Sequence, residues 1–255
     1  MACARARVTP PQARATPLRS ATVDEVLAAY DGYCRKLETL SASGDLDVRD
    51  VRAGKAHSLG VRLVATRGGR LYLKGSVAVI TALEVVADGA RFWFQVPSKK
   101  TVWTGAAGAG ASREAGTEQA PYYALRPADV TSALLPEPLA PGPEDGLVLE
   151  ADAQTFSLTL AHLSSGRGAA RRRVWLSRET LLPIRTRSFD GQGDVQSEVT
   201  VGAWQDGLPR WIQLSRPADG YQASFRLSKV ELNVAVPERA FAPRTPEDYK
   251  VVEVR

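Results

Sequence analysis

The sequence predicts a mainly β protein of the α+β class. Its expected form is a single unclosed antiparallel half-barrel of about 11 strands, with helices covering the concave face. Three observations support this prediction. Apolar and polar residues alternate through most of the 255 residues, turn signals separate these segments at short intervals, and only two segments have helical spacing. Short turns between consecutive strands favour an antiparallel meander.

The composition is that of an ordinary globular protein, with 44% hydrophobic and 24% charged residues and a formal net charge of +5. No apolar run reaches the ~18–20 residues that a membrane-spanning helix needs. The excess of positive charge is compatible with an anionic partner, such as lipid headgroups or nucleic acid, and equally with none.

Residues 1–20 are rich in arginine and proline and contain no acidic residue. Such a segment cannot form a core, so it is predicted to be a disordered leader or tether. Helical periodicity begins after it and covers residues 22–40. Thr22 and Glu25 have the spacing of a capping box at its start. One face of this helix is expected to pack against the sheet, through Val23, Val26, Leu27, Tyr30, Cys34 and Leu37.

The first run of strands follows this helix, with hairpin signals at residues 67–70 and 88–89. The strands are expected at residues 44–51, 58–66, 70–77, 82–88, 91–97 and 100–104. In the fifth strand Phe92 and Phe94 share one face, and Trp93 lies on the other. A strand that is aromatic on both faces belongs to a sheet with apolar material to cover on each side.

Residues 105–120 are rich in glycine and alanine and are predicted to form a flexible loop. No Gly-Lys-Ser/Thr follows them, which excludes a phosphate-binding P-loop. A short helix is expected at residues 127–135, and four prolines end it within residues 136–146. This change in composition marks either a linker or a long excursion at the edge of one sheet.

The second half is again predicted to be strands, followed by a proline-rich tail and a short strand at residues 251–254. The strands are expected at residues 146–152, 155–163, 169–177, 182–190, 194–204, 209–216 and 221–234. Arg171, Arg172 and Arg173 fall inside one of them. Consecutive strand residues point to both faces, so these arginines are interpreted as a partly solvated edge with paired charges, and nucleic-acid binding is not expected.

The sequence gives no indication of catalysis or metal binding. Its two cysteines, Cys3 and Cys34, form no CxxC pair, and its two histidines, His57 and His162, lie far apart. Cys34, at a helical position, is predicted to be a small buried hydrophobe. No cofactor is expected, and the protein is predicted not to be an enzyme.

The interior of the half-barrel is assigned from the alternation along each strand. A slip of one residue on any strand would exchange its two faces, so the opposite assignment stays open. The predicted interior residues are Leu46, Val48, Val61, Leu63, Leu71, Leu73, Phe92, Phe94, Phe156, Leu158, Ile212, Leu214, Phe225 and Leu227.

Three segments carry a resemblance to a known family. Residues 88–105 contain an Asp-Gly turn, an aromatic strand that ends in Val-Pro, and a strand that ends in Trp-Thr-Gly. Residues 173–195 contain a tryptophan-bearing strand, a Glu-Thr-Leu-Leu-Pro turn and a strand that ends in Asp-Gly-Gln-Gly. Residues 230–254 contain Asn-Val-Ala-Val-Pro and a phenylalanine before a proline-rich loop. Together they resemble the LolA/LolB-like family of outer-membrane lipoprotein carriers and sorting proteins.

This resemblance implies one half-barrel domain over residues 21–255, with a helical lid and an apolar cavity lined by the interior residues above. The cavity would take up acyl chains of lipids or lipoproteins, for lipoprotein transport or sorting. The resemblance further implies a monomer in the bacterial periplasm or at the outer membrane, whose inner leaflet is a second candidate partner. The alternative is a non-transporting interaction or sensor module of the envelope with a closed core.

Ala2-Cys3, followed by a Pro/Ala/Arg-rich stretch, is similar to what remains of a lipobox when a signal peptide is missing. Cys3 is therefore a candidate lipid-attachment residue. The alternative is an accidental cysteine in a disordered leader.

Overall fold

The computed structural model of this chain describes residues 19–109, 121–164 and 167–254. Two α-helices lie within them, α1 (Val23–Arg35) and α2 (Pro127–Leu134). The strands are β1 (Thr39–Asp50), β2 (Lys55–Thr66), β3 (Arg70–Val77), β4 (Ile80–Asp88), β5 (Arg91–Val96), β6 (Thr101–Ala106), β7 (Asp145–Ala151), β8 (Thr155–Ser164), β9 (Arg167–Ser177), β10 (Pro183–Phe189), β11 (Val195–Gln205), β12 (Leu208–Arg216), β13 (Tyr221–Leu232) and β14 (Lys250–Glu253).

These strands form one 14-stranded sheet in the order β14-β6-β5-β4-β3-β2-β1-β13-β12-β11-β10-β9-β8-β7. The sheet does not close into a barrel, and the predicted unclosed half-barrel is confirmed. The two halves of the chain meet at its centre, where β1 pairs with β13 from Leu40↔Leu232 to Asp50↔Tyr221. Residues 136–146 therefore connect strands of one sheet.

Two details of the predicted sheet are wrong. The sheet has 14 strands, which matches the number of strand segments expected above but exceeds the overall figure of about 11, and β14 pairs with β6 in parallel, whereas the other pairs are antiparallel. The tail first crosses β3 and β4 through the short 3₁₀ turn Glu238–Phe241. A crossover of this kind allows a returning strand to run parallel to its partner.

The helices and the 3₁₀ turn Pro121–Ala124 cover one side of the sheet, which we call the inner face. Two apolar clusters lie on it. The larger one joins α2 and the Pro121–Ala124 turn to β1–β6, β12 and β13. The smaller one joins Val26, Tyr30 and Cys34 of α1 to β8 and β9. Helix α1 thus covers only one end of the sheet, rather than its whole concave face.

The strands between the two clusters are less covered. Strand β11 has no buried residue, and β10 has only Pro183. Each helix is too short to reach across both clusters, since 13 and 8 residues span about 20 and 12 Å at 1.5 Å per residue. The inner face of β10 and β11 is therefore covered less completely than the strands on either side of it.

Helix α1 begins with the predicted capping box between Thr22 and Glu25, but it ends at Arg35, five residues earlier than expected. Its last carbonyl groups are bound by side chains from distant segments. Arg67 donates to the carbonyl oxygens of Cys34 and Leu37, and Asn233 donates to that of Lys36 at 2.9 Å. The chain then turns directly into β1. Cys34 is buried, as predicted.

Some predictions fall wholly or largely on residues that the structure does not describe. Cys3 and residues 1–18 lie outside the described residues, as do residues 110–120 of the predicted flexible loop. The first two residues of that predicted loop, Gly105 and Ala106, belong to β6. No helix in the described ranges is both long and apolar enough to cross a membrane.

Candidate functional site on the inner face

A cavity of about 230 Å³ opens on the inner face between α1 and α2. Tyr30 and Tyr33 of α1 form one wall, and Ala133 near the end of α2 contributes to the opposite wall. Its floor is the sparsely covered stretch of the sheet between the two apolar clusters, strands β10, β11 and the start of β12. The cavity therefore exists because neither helix extends over these strands.

The lining of this cavity is chemically mixed. Val199, Val201 and Leu214 supply an apolar floor, whereas Thr186, Ser188 and Ser197 supply hydroxyl groups. Arg172 adds a cationic group at the side of α1. Such a surface suits an amphipathic ligand, because ligand sites combine apolar walls with a few placed polar groups.

The structure buries all fourteen predicted interior residues. Twelve belong to the larger cluster, and Phe156 and Leu158 belong to the smaller one. Leu214 alone among them lines the cavity; the others pack against neighbouring side chains. Their role in lipid binding stays a prediction.

Tyr122 and Tyr123 form an aromatic lid over the larger cluster. The ring of Tyr123 lies 5.4 Å from that of Phe94 and 5.1 Å from that of Trp103, and Tyr122 stacks on Phe94 at 6.4 Å. Burial raises the pKa of Tyr123, so its hydroxyl stays neutral. That hydroxyl is buried without a hydrogen-bond partner among the described residues, which weakens the packing of the lid.

A partly buried ionic network holds α2 on the sheet. Asp129 of α2 lies 3.0 Å from Nη1 of Arg216 at the end of β12 and accepts a hydrogen bond from the Tyr221 hydroxyl at 3.3 Å. Asp219 bridges Arg216 at 2.6 Å and Arg126 at 2.7 Å. Burial raises the pKa of Asp129, and the positive charge of Arg216 opposes that rise. We call the Asp129–Arg216 pair the α2 anchor.

The three consecutive arginines of β9 divide between the two faces of the sheet, as their position in a strand predicts. Arg171 lies 3.6 Å from Asp145, and Arg173 lies 3.9 Å from Glu150. Arg172 points to the inner face and lines the cavity. The sequence interpretation is therefore wrong in two respects. Strand β9 is not an edge strand, and Arg172 has no carboxylate partner in the described part of the chain.

Sequence reasoning missed most of the residues that shape the cavity. The sequence places Tyr30 only in the apolar stripe of a helix, and it assigns no role to Asp129. Arg216 carried no signal, because its partner Asp129 lies 87 residues away. Within the described ranges there is no group of three or more histidine, cysteine, aspartate or glutamate residues that could hold a metal ion.

Comparison with solved structures identifies the class of fold. The chain resembles a LolA superfamily protein from Nitrosomonas europaea, with a TM-score of 0.53 and 10% identity over 88% of this chain and 99% of that protein. It also resembles a DUF1329 family protein from Desulfovibrio piger, with a TM-score of 0.52 and 16% identity over 85% of this chain and 97% of that protein.

At these identities the likeness concerns the fold alone, and the fold is LolA/LolB-like, as the sequence motifs implied. Neither the family models nor the curated proteins that were compared with this chain gave a match.

Proposed function

We propose that the inner face binds the acyl chains of a lipid or lipoprotein, in a non-enzymatic protein of the bacterial periplasm or outer membrane. The proposal depends chiefly on one observation. A cavity lies between the two short helices, α1 and α2, on an inner face whose remaining surface is packed with apolar side chains. The LolA/LolB-like fold supports it. The alternative hypothesis is an interaction or sensor module of the envelope, in which the inner face stays packed.

The energetics of acyl transfer favour this use of the fold. Each methylene group that leaves water gains about 0.8 kcal/mol, so a long chain needs a shield while it crosses an aqueous space. The cavity is about 230 Å³, below the roughly 300–1,000 Å³ of sites for drug-sized ligands. A long acyl chain would therefore displace α2 and the aromatic lid, and the predicted interior residues beneath them would become its wall.

Native mass spectrometry of protein purified from a bacterial host tests the proposal directly. We expect a co-purified lipid, or saturable binding of a fluorescent fatty-acid probe after the protein has been stripped of lipid. If the stripped protein binds no acyl probe of any length, the inner face is a closed core, and the interaction-module alternative becomes the better account.

The turn between β3 and β4 supports a membrane as the second partner. Val79 is 97% exposed and Ile80 is 72% exposed, and together with the half-exposed Val77 they form an apolar tip, residues 77–80. In an antiparallel meander the β1–β2 turn lies at the same end of the sheet, where Val51 is exposed and Lys55 is charged. An exposed apolar tip, at the end of the sheet that also carries Val51 and Lys55, suits the interface of a membrane.

Changing Val79 and Ile80 together to glutamate is expected to reduce partitioning onto vesicles of phosphatidylethanolamine and phosphatidylglycerol at least tenfold. Burial of two such side chains contributes about 3 kcal/mol or more, and the new charges repel the lipid. Co-sedimentation measures the loss. Val148→Glu, at an exposed valine of β7, is the matched control and should keep wild-type partitioning. Equal losses in both variants would exclude the tip as the contact.

A further inference from the structure

We propose that the cavity between α1 and α2 binds the anionic head, a carboxylate or a phosphate, of an acyl ligand, and that Arg172 and Tyr30 hold this head. The inference rests on the proposed function and deepens it, since it specifies which acyl ligands the site prefers. An acyl chain attached to a neutral group would lose this interaction.

Arg172 is the first reason. Its guanidinium lines the cavity from β9, and its Nη1 donates to the carbonyl oxygens of Glu137 and Pro138 at 3.2 and 3.4 Å. These bonds fix the side chain between β9 and the segment after α2, and they leave its charge without a counter-ion. Arginine suits carboxylate and phosphate groups because its planar fork of donors matches both of them.

Tyr30 is the second reason. Its side chain is fully buried, and its hydroxyl has no hydrogen-bond partner among the described residues, although Thr186 and Cys34 lie near it. Burial raises the pKa of Tyr30, so the hydroxyl remains a neutral donor. A buried hydroxyl without a partner costs stability. An oxygen of a ligand head in the cavity would accept its hydrogen bond.

The remaining charged groups of the lining favour an anion over a cation. Asp129 is compensated by Arg216 in the α2 anchor. Glu137 is exposed, and Arg185 is paired with Glu198 at 2.6 Å. Apart from that of the exposed Glu137, the uncompensated charge that remains among these lining residues is that of the half-buried Arg172. Val199, Val201 and Leu214 continue from this polar end as an apolar floor, which the first methylene groups of the ligand would contact.

Three ligands of equal chain length separate the parts of this inference: a fatty acid, an alkyl phosphate and a fatty alcohol. We expect the lipid-stripped wild-type protein to bind both anionic ligands at least tenfold more tightly than the alcohol, as measured by displacement of a fluorescent probe. The ratio between the two anions then shows which head the site prefers. Equal affinity for acid and alcohol would overturn the inference but leave the proposed function intact. Failure of all three ligands to bind would overturn both.

Arg172→Gln is expected to lower the affinity for the anionic ligands about tenfold, which is the effect of losing one charge-assisted hydrogen bond. Its affinity for the alcohol should fall less than twofold. Arg172→Lys should restore part of the difference. Arg173→Gln changes the neighbouring arginine on the other face of β9, and it should alter none of the three affinities. If Arg172→Gln weakened all ligands equally, it would be acting through the fold rather than through the head group, and the inference would be wrong.

Tyr30→Phe provides an independent measurement. Removing a buried hydroxyl without a partner should leave the melting temperature equal to or above that of the wild type. The same change should lower the affinity for the fatty acid several-fold. A loss of stability without a loss of affinity would mean that the hydroxyl serves the fold, which would contradict its assignment to the head group.

Discussion

Arg216→Met is expected to lower the free energy of unfolding by about 3–5 kcal/mol, because it leaves the buried Asp129 carboxylate without its partner. The Arg216 side chain is only 8% exposed and that of Asp129 only 18%. The charge of Arg126, which also acts on Asp129, and the single hydrogen bond from Tyr221 compensate only part of the lost interaction at such a site. Urea denaturation at neutral pH measures the loss.

The pH dependence of this loss has a definite sign. Burial already raises the pKa of Asp129 in the folded protein, and Arg216 opposes the rise, so the variant should have a still higher pKa. A carboxyl group whose pKa is raised by folding binds its proton more tightly in the folded state, and stability falls as pH rises above its unfolded pKa. The defect of Arg216→Met should therefore be larger at pH 8 than at pH 5.

Asp129→Asn is the matched test of the α2 anchor. Combined with Arg216→Met it should recover part of the lost stability, because the double variant no longer buries an unpaired charge. A double variant less stable than Arg216→Met alone would show that Arg216 acts through Asp219 instead. If acyl chains enter by displacement of α2, Arg216→Met should also bind a fatty-acid probe faster than the wild type does.

The strands could be predicted from sequence because their signals are local. The alternation in residues 70–77 gave β3 with its observed bounds. Strand β1 shows where local signals mislead, since it begins at Thr39 rather than at residue 44. Ser43-Gly44 resembles a turn, but it is a bulge within β1. A Cβ atom on Gly44 would overlap the carbonyl oxygen of Arg226, so glycine is needed there for a close approach between strands.

The cavity could not be predicted, because the contacts that form it join distant parts of the chain. The end of α1 is set by Arg67 and Asn233, and the position of α2 is set by Arg216. Strand alternation identified which side chains face inward. The alternation contains no information about where the two helices end. The positions of these ends leave β10 and β11 uncovered.

Val199→Trp is expected to abolish binding of acyl probes while the fold remains stable. Val199 lies on β11 between Thr186 and Leu214 and faces the cavity. An indole at this site would fill the space that the ligand needs, and tryptophan is well accepted in strands. Because the cavity receives the added volume, the usual cost of overpacking, about 1–3 kcal/mol, should be largely avoided.

Thr200→Trp places the same ring on the other face of β11, so this variant should bind the probe as the wild type does. Titration of a fluorescent fatty acid measures both variants. Retained affinity in Val199→Trp would mean that acyl chains enter elsewhere on the inner face, beneath Tyr122 and Tyr123.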